Sequence, residues 1–208
     1  LRAAVETAVG EGAQLVCLQE LTLSPYFAAT PVGPSGAGIE PEDLDVGPTA
    51  SFIRELATQT GVHVHASLFE RADGADGLGY NTAIVIDPNG RLASRTRKLH
   101  IPVTAGYHED HYFRPGPSGD AFQTLTIGDA VLGFPTCWDQ WFPEVARGYA
   151  LAGADALVFP TAIGSEPDHP EFDTQPLWEH VITAHGIANG MFMVTANRVG
   201  EEGPLRFY

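Results

Sequence analysis

The chain has 208 residues, of which 44% are hydrophobic and 18% are charged. This length and balance suit one globular domain and exclude a disordered chain. Eleven lysines and arginines stand against 26 aspartates and glutamates, giving a formal net charge of −15. Few cations are therefore available for phosphates, which argues against a nucleic-acid partner.

Cys17 and Cys137 are the only cysteines, which is too few for a disulfide framework. No apolar segment approaches the ~20 residues that cross a membrane. We therefore expect no membrane partner and predict a reducing, soluble compartment, the cytoplasm. The chain has no initiator Met, so a targeting sequence upstream of Leu1 would be invisible.

The first third of the chain alternates between helix and strand patterns. Apolar residues at helical spacing predict a helix over 1–12, and a short apolar run predicts a buried strand over 13–19. A segment rich in proline, glycine and acidic residues, 24–47, is predicted as a long loop. A second helix over 49–60 and a strand over 62–69 follow.

The middle of the chain has the composition of a hairpin. Two strand patterns, 80–86 and 92–97, flank Asp87-Pro88-Asn89-Gly90, in which proline presets one backbone angle and Asn-Gly tolerates positive φ. We expect these two strands to pair antiparallel. The segment 98–120 is predicted as a second long loop.

The remaining patterns again alternate strands with helices. In chain order they predict strands at 121–127 and 130–136, a helix at 143–153, a strand at 156–159, a helix at 176–188 and a strand at 191–196. Together with the hairpin, this order predicts an α/β layered fold with mixed sheets. No repeat or linker divides the chain, so 1–208 is treated as a single domain.

Three residues with catalytic chemistry fall where a predicted strand gives way to a loop. They are Glu20, Lys98 and Cys137, and strand ends are where α/β folds gather reactive groups. A nucleophile needs a base and a cation or donor for the developing oxyanion, and these three side chains suffice for that set. Taken singly, Glu20 and Lys98 are better explained as surface charges, and Cys137 as a buried small side chain.

The segments around these residues carry a family resemblance. Leu18-Gln19-Glu20-Leu21, Arg97-Lys98-Leu99-His100-Ile101-Pro102 and Cys137-Trp138-Asp139-Gln140-Trp141-Phe142-Pro143-Glu144 resemble, in order and spacing, the three signature segments of the nitrilase superfamily of carbon-nitrogen hydrolases. Segments 106–109, 112–116, 160–167 and 196–200 are similar to its N-carbamoylputrescine amidase branch.

The resemblance implies an architecture and a set of partners. It implies a four-layer α-β-β-α sandwich in which an opening strand before Leu1 and closing strands after Tyr208 are missing. It also implies a homodimer or larger homo-oligomer joined through the helical layers. Neither a cofactor nor a metal ion is implied.

The resemblance also assigns catalytic roles. It implies that Cys137 is the nucleophile, Glu20 the general base and then acid, and Lys98 the oxyanion stabiliser, with the backbone N–H of Trp138 as second donor. Glu109 matches the second glutamate of the family, which positions the lysine and the substrate nitrogen. A neighbouring cation favours a thiolate, so we expect Lys98 to promote the reactive form of the cysteine.

The implied reaction is hydrolysis of N-carbamoylputrescine to putrescine, CO2 and ammonia through a thioester-type intermediate. The Ser-Glu-Pro resemblance points to Glu166 as the partner of the substrate ammonium, because a buried ammonium demands a carboxylate. A β-ureidopropionase-like or aliphatic amidase activity is the nearest alternative. A non-catalytic scaffold with the same fold is a further alternative.

A metal hydrolase is a rival interpretation. His63 and His65 alternate onto one strand face, and His108-Glu109-Asp110-His111 gathers ligand types. The spacing does not match His-Glu-x-x-His, in which two histidines lie four apart on a helix. We therefore favour the cysteine hydrolase.

Pro135 departs from the family pattern. It lies within the strand predicted to precede Cys137, where a proline would lose one ladder hydrogen bond. We expect the backbone before the nucleophile to be irregular.

Overall fold

The computed structural model describes residues 1–208. The helices are α1 (Arg2–Gly10), α2 (Gly33–Ala37), α3 (Pro48–Thr60), α4 (Pro143–Leu151) and α5 (Gln175–Asn189). The strands are β1 (Leu15–Cys17), β2 (His63–Glu70), β3 (Tyr80–Ile86), β4 (Leu92–Arg97), β5 (Val103–Thr104), β6 (Tyr107–His108), β7 (Thr124–Ile127), β8 (Ala130–Gly133), β9 (Ala156–Thr161), β10 (Phe192–Asn197), β11 (Gly200–Glu202) and β12 (Leu205–Phe207). None of the helices combines the length and the hydropathy that a bilayer crossing requires.

The first sheet has the strand order β1-β2-β3-β4. β1 and β2 are parallel, and the other two pairs are antiparallel, including the predicted hairpin of β3 and β4. The apolar faces of α1 and α3 cover this sheet, where Val5, Ile53 and Leu56 pack with Val64 and Ile84 of the strands. The apolar stripes of the two helices and one face of the strands thus form a single core.

The second sheet has the order β10-β9-β8-β7. β9 is parallel to both β10 and β8, and β7 forms an antiparallel hairpin with β8. Tyr149 of α4 packs with Leu157 and Phe159 of β9 on the outer face of this sheet, and α5 lies beside α4 and β10.

The inner faces of the two sheets share one apolar layer. Val85 of β3 belongs to the same cluster as Leu132 of β8 and Val158 of β9, with Leu15 and Cys17 of β1 at its edge. Helices therefore cover the outside of two sheets that face each other. The predicted four-layer α-β-β-α sandwich with mixed sheets is confirmed.

The strand predicted at 130–136 is wrong in its length, because β8 ends at Gly133. Pro135 lies beyond the ladder, so the expected loss of a ladder hydrogen bond does not arise. Cys137 accordingly begins a 3-10 helix, Cys137–Trp141, rather than standing at a strand end. The strand predicted from residue 121 also starts later, at Thr124, after the 3-10 turn Ser118–Asp120.

Other differences concern segments with no apolar period. The predicted loop 24–47 contains α2 and a 3-10 turn at Phe27–Ala29, and the loop 98–120 contains β5 and β6. β9 continues two residues past the predicted end and includes Pro160. On the β8 side the pairing with β9 ends at Leu157, so no β8 partner needs an N–H from Pro160.

Candidate active site

Four predicted site residues meet where the two sheets end. Glu20 follows β1, Lys98 directly follows β4, Glu109 begins the 3-10 turn after β6, and Cys137 begins the 3-10 helix after β8. Glu20, Lys98 and Glu109 are 0% exposed, and Cys137 is 3% exposed. The structure therefore brings together four buried reactive groups from distant parts of the chain.

Lys98 is the centre of this cluster. Its Nζ lies 2.9 Å from Oε1 of Glu20, and 2.8 and 2.7 Å from the two carboxylate oxygens of Glu109. A buried cation is tolerated only when it is paired and hydrogen-bonded. Burial lowers the pKa of Lys98, but the charges of Glu109 and Glu20 outweigh burial and raise it above its ordinary value. Lys98 is therefore an ammonium.

Two neutral side chains orient the glutamates. The Tyr26 hydroxyl donates to Oε1 of Glu109 at 2.7 Å, and Asn81 Nδ2 donates to Oε1 of Glu20 at 2.7 Å. The amide of Asn81 is itself fixed, because Ser67 Oγ donates to its Oδ1 at 3.1 Å. Both donors to Glu20 thus use Oε1, and the buried Oε2 has no hydrogen-bond partner. An unpartnered buried carboxylate oxygen is a free proton acceptor.

The backbone at Cys137 has a left-handed conformation with φ 38°, which is strained for a residue with a side chain. Gln140 supports this turn, since its Nε2 donates to the Cys137 carbonyl at 2.8 Å while its Oε1 accepts from Trp178 Nε1 at 3.0 Å. Trp138, the next residue, lies in the first turn of the 3-10 helix, where N–H groups lack helical acceptors.

Asp139 connects the cysteine turn to the segment after Lys98. Its buried carboxylate accepts from the backbone N–H of Leu99 at 3.2 Å, from that of His100 at 3.0 Å and from that of Thr136 at 3.1 Å. Nδ1 of His100 lies 2.8 Å from the same carboxylate. One side chain therefore fixes the lysine segment relative to the nucleophile turn.

The electrostatics at Cys137 combine opposing effects. Burial raises the pKa of the Cys137 thiol well above its ordinary value, Glu20 raises it further, and Lys98 lowers it by less. Lys98 acts in the expected direction, because it lowers the pKa of the thiol, but burial and the charge of Glu20 outweigh it. Cys137 rests as a thiol, and a reaction at sulfur requires a base that takes its proton.

Cys137 and Glu109 open into one pocket, which Trp138, Trp141 and Glu166 also line. Glu166 is partly exposed, and its Oε1 accepts from Thr174 Oγ1 at 3.2 Å. The pocket lining contains no lysine or arginine. All six predicted site residues, Glu20, Lys98, Glu109, Cys137, Trp138 and Glu166, thus lie in or directly beside this pocket.

The histidines of the rival interpretation do not form a comparable site. His65 is buried against Phe134 between the sheets, and the rings of His108 and His111 lie 6.2 Å apart. No group of three or more potential ligands is close enough to hold a metal ion.

Sequence reasoning missed Tyr26 and Asn81 and treated Asp139 only as part of a motif. Tyr26 lies in the long loop before α2, and Asn81 occupies an unremarkable position in β3. An amide side chain in a mostly apolar strand was the one available signal for Asn81, since such residues are buried only with partners.

The arrangement combines a thiol, a carboxylate oxygen that can accept its proton, and a cation, as nucleophilic attack on a carbonyl requires. Comparison with known proteins agrees with that chemistry. The carbon-nitrogen hydrolase family matches residues 1–208. The chain belongs to the carbon-nitrogen hydrolase family.

Among curated relatives, N-carbamoylputrescine amidase of Solanum lycopersicum is 38% identical over 198 residues, which are 95% of this chain and 64% of that protein. Citrullinase of Francisella tularensis is 40% identical over 159 residues, which are 76% of this chain and 54% of that protein. The chain therefore spans less than two thirds of the length of these relatives.

Solved structures show the same fold. A carbon-nitrogen hydrolase from Helicobacter pylori is 34% identical, with a TM-score of 0.85 over 100% of this chain and 72% of that one. A mutant amidase from Nesterenkonia sp., with acrylamide added to its active-site cysteine, is 25% identical, with a TM-score of 0.80 over 99% of this chain and 73% of that one.

Proposed function

We propose that this protein hydrolyses a non-peptide carbon-nitrogen bond through Cys137, and that its substrate is N-carbamoylputrescine. The observation that carries the proposal is the unpartnered Oε2 of Glu20 in a cluster with Lys98, beside a pocket that contains a protonated thiol. A protonated thiol needs a base to remove its proton before it can attack. Within this cluster, Oε2 of Glu20 is the buried acceptor that has no other hydrogen-bond partner.

In the first half of the reaction, Glu20 accepts the thiol proton while sulfur attacks the ureido carbonyl carbon. The negative charge moves to the carbonyl oxygen, which faces the Lys98 ammonium and the Trp138 N–H. The two Glu109 contacts of Lys98 go to one carboxylate, so a single proton can serve both and another stays available for the oxyanion. Glu20 then returns its proton to the departing nitrogen, and ammonia leaves.

In the second half, the carbamoyl group bound to sulfur is hydrolysed. Glu20 takes a proton from water, the hydroxide oxygen bonds to the carbonyl carbon, and the carbon-sulfur bond breaks. Sulfur regains a proton from Glu20, and the released carbamic acid decomposes to CO2 and the free amine. Glu109 keeps the ammonium of Lys98 in place through both halves.

Substrate choice rests on the charge of the pocket. Its wall combines apolar surface from Trp138, Trp141 and Ile163 with the carboxylate of Glu166, which suits an apolar spacer ending in an ammonium. The N-carbamoylputrescine amidases of Solanum lycopersicum and Solanum tuberosum, at 38 and 39% identity, support this choice.

Citrulline is the second candidate, because a citrullinase is a 40% identical relative. Citrulline carries the same ureido group and spacer, and differs by a carboxylate next to its ammonium. A pocket lined by glutamates without lysine or arginine disfavours that carboxylate. The same argument disfavours N-carbamoyl-β-alanine, the substrate of a β-ureidopropionase.

Ammonia release from N-carbamoylputrescine, citrulline, N-carbamoyl-β-alanine and a neutral aliphatic amide tests the proposal. We expect the first to be preferred and all turnover to be lost in Cys137→Ser. Preference for another substrate would retain the chemistry and contradict the substrate. No release from any of the four would instead favour the non-catalytic scaffold.

We also propose that the protein assembles as a homodimer or larger homo-oligomer through its outer helices. Leu151 of α4 is 80% exposed and Ile187 of α5 is 79% exposed, so the helical layer presents apolar side chains to a partner. Light scattering at several protein concentrations tests this; a monomer at every concentration would contradict it.

A further inference from the structure

Arg198 joins the end of the second sheet to the segment that carries Glu20. It directly follows β10 and is 8% exposed. Its Nη2 donates to the carbonyls of Glu20 and Leu21 at 3.0 Å each, and to that of Ser24 at 2.9 Å. One guanidinium nitrogen therefore closes the turn that follows the glutamate.

The same guanidinium is linked to the second glutamate of the site. Nη1 of Arg198 lies 2.5 Å from Oε1 of Glu202, and the other oxygen of Glu202 accepts from the backbone N–H of Tyr26 at 2.6 Å. The hydroxyl of Tyr26 donates to Glu109. Arg198 and Glu202 thus contact the supports of both glutamates without touching the pocket.

The backbone near Glu20 is held by Arg198 and by a contact between the two sheets. The Thr161 carbonyl accepts from the N–H of Arg198 at 3.0 Å and from that of Glu20 at 3.4 Å, so the ends of the two sheets meet at one oxygen. Leu21 has a positive φ of 49°, a conformation that costs free energy in a residue with a side chain. The carbonyl contacts of Arg198 on both sides of this residue stabilise it.

We propose that Arg198, held by Glu202, is a positioning residue that keeps the Glu20 carboxylate in place for the reaction at Cys137. The proposal rests on the proposed roles of Glu20 and Cys137. Arginine suits the task because its planar guanidinium reaches several acceptors at fixed angles, whereas a lysine ammonium is a point charge on a flexible stem. No atom of Arg198 takes part in the reaction itself.

The principal test is Arg198→Lys, which keeps the charge and removes the planar geometry. A misplaced base affects the transition state more than substrate binding, so we expect kcat to fall about 10- to 100-fold while KM changes by less than about 3-fold. Arg54→Lys is the matched control, because Arg54 also donates to two backbone carbonyls, those of Gly90 and Asp45, in another part of the chain. We expect that variant to keep its kcat.

A second readout does not depend on the substrate. The rate at which iodoacetamide alkylates Cys137, measured by peptide mass spectrometry, reports proton removal from the thiol. Arg198→Lys should slow this rate about 10-fold in the wild-type background and have no further effect in a Glu20→Gln background, because the arginine acts through the glutamate. If Arg198→Lys does not fold, Glu202→Gln should slow alkylation in the same direction by a smaller factor.

Equal slowing in both backgrounds would overturn the proposal, as would loss of thermal stability with unchanged kcat and alkylation rate. A wild-type protein that hydrolyses none of the four substrates, yet shows the non-additive alkylation effect, would contradict the proposed function and leave the positioning role intact.

Discussion

The two cysteines of this protein lie in opposite surroundings. Cys17 lies at the edge of the apolar layer between the sheets, and burial raises its pKa to about 12. Its partner across the β1–β2 pair is His65, whose pKa burial lowers to about 3. Cys137 is also a buried thiol with a raised pKa, but Glu20, Lys98 and Glu109 act on it.

The comparison leads us to expect that a neighbouring titratable group is insufficient to activate a thiol. A histidine with so low a pKa is a poor base, and both of its ring nitrogens lack partners. Lys98 and Asn81 both donate to Oε1 of Glu20, and its Oε2 has no hydrogen-bond partner. In the proposed mechanism, reactivity therefore depends on an oriented base, rather than on a cysteine that is ionised at rest.

The largest expected effect separates the two cysteines by function. Cys137→Ala should reduce ammonia release on the order of 10⁴-fold or more, because it removes the proposed nucleophile. Cys17→Ala should keep activity within about 2-fold, since Cys17 does not line the pocket. The assay is ammonia release at equal concentrations of folded protein. A large loss in Cys17→Ala would contradict the assignment of different roles to the two cysteines.

The next largest effect is on the unfolding free energy, to which the buried charged cluster contributes. Lys98→Met leaves Glu20 and Glu109 buried without their cation, which should cost about 3–5 kcal/mol of unfolding free energy. Urea denaturation measures this loss. Arg95→Met is the control, because the ion pair of Arg95 with Asp120 is partly exposed and should contribute less than about 1 kcal/mol. Equal losses in the two variants would contradict the role of Lys98.

His65, the neighbour of Cys17, should make the unfolding free energy depend on pH. Its pKa is about 3 in the folded protein and 6.5 in its ordinary state, so between those values the unfolded chain binds more protons. Above pH 6.5 the side chain is neutral in both states and gives no pH dependence, whereas stability falls as pH decreases from 6.5 toward 3. At pH 4.5 this loss is about 3 kcal/mol.

His65→Leu removes that titration and two unpartnered polar atoms. We expect the difference in unfolding free energy between pH 7 and pH 4.5 to shrink by about 3 kcal/mol relative to the wild-type protein. Urea denaturation at the two pH values tests this. An unchanged difference would show that His65 is hydrogen-bonded to a group that compensates its burial.

The smallest effect concerns the pocket wall. Glu166→Gln removes a negative charge from a partly exposed position, so KM for N-carbamoylputrescine should rise about 10-fold while KM for a neutral amide changes by less than about 2-fold. Glu171→Gln, at an exposed acid of the same segment, is the control. Equal changes for both substrates would exclude Glu166 as the ammonium partner.

Much of the layered fold could be predicted from the sequence because local patterns determine it. The apolar face of α3 and the Asn-Gly turn between β3 and β4 each need only a few neighbouring residues. The end of β8 could not be predicted in this way, since Phe134 is as apolar as a strand residue. Its burial between the sheets, and the missing N–H of Pro135, decide where β8 ends.

The catalytic candidates could be found by resemblance, whereas their supports could not. Asn81 lies 61 residues from Glu20, and Arg198 lies 178 residues from it, so neither contact leaves a local pattern. The free oxygen of Glu20 and the raised pKa of the Cys137 thiol likewise follow from burial and from the groups packed around Lys98, which only the folded structure shows.

The most direct test of the account is the rate of iodoacetamide alkylation at each cysteine, in the wild-type protein and in Glu20→Gln. We expect Cys137, although 3% exposed, to react faster than Cys17, and Glu20→Gln to slow Cys137 about 100-fold without affecting Cys17. A Cys137 rate that is unchanged by Glu20→Gln would contradict the central claim that an oriented carboxylate activates a resting thiol.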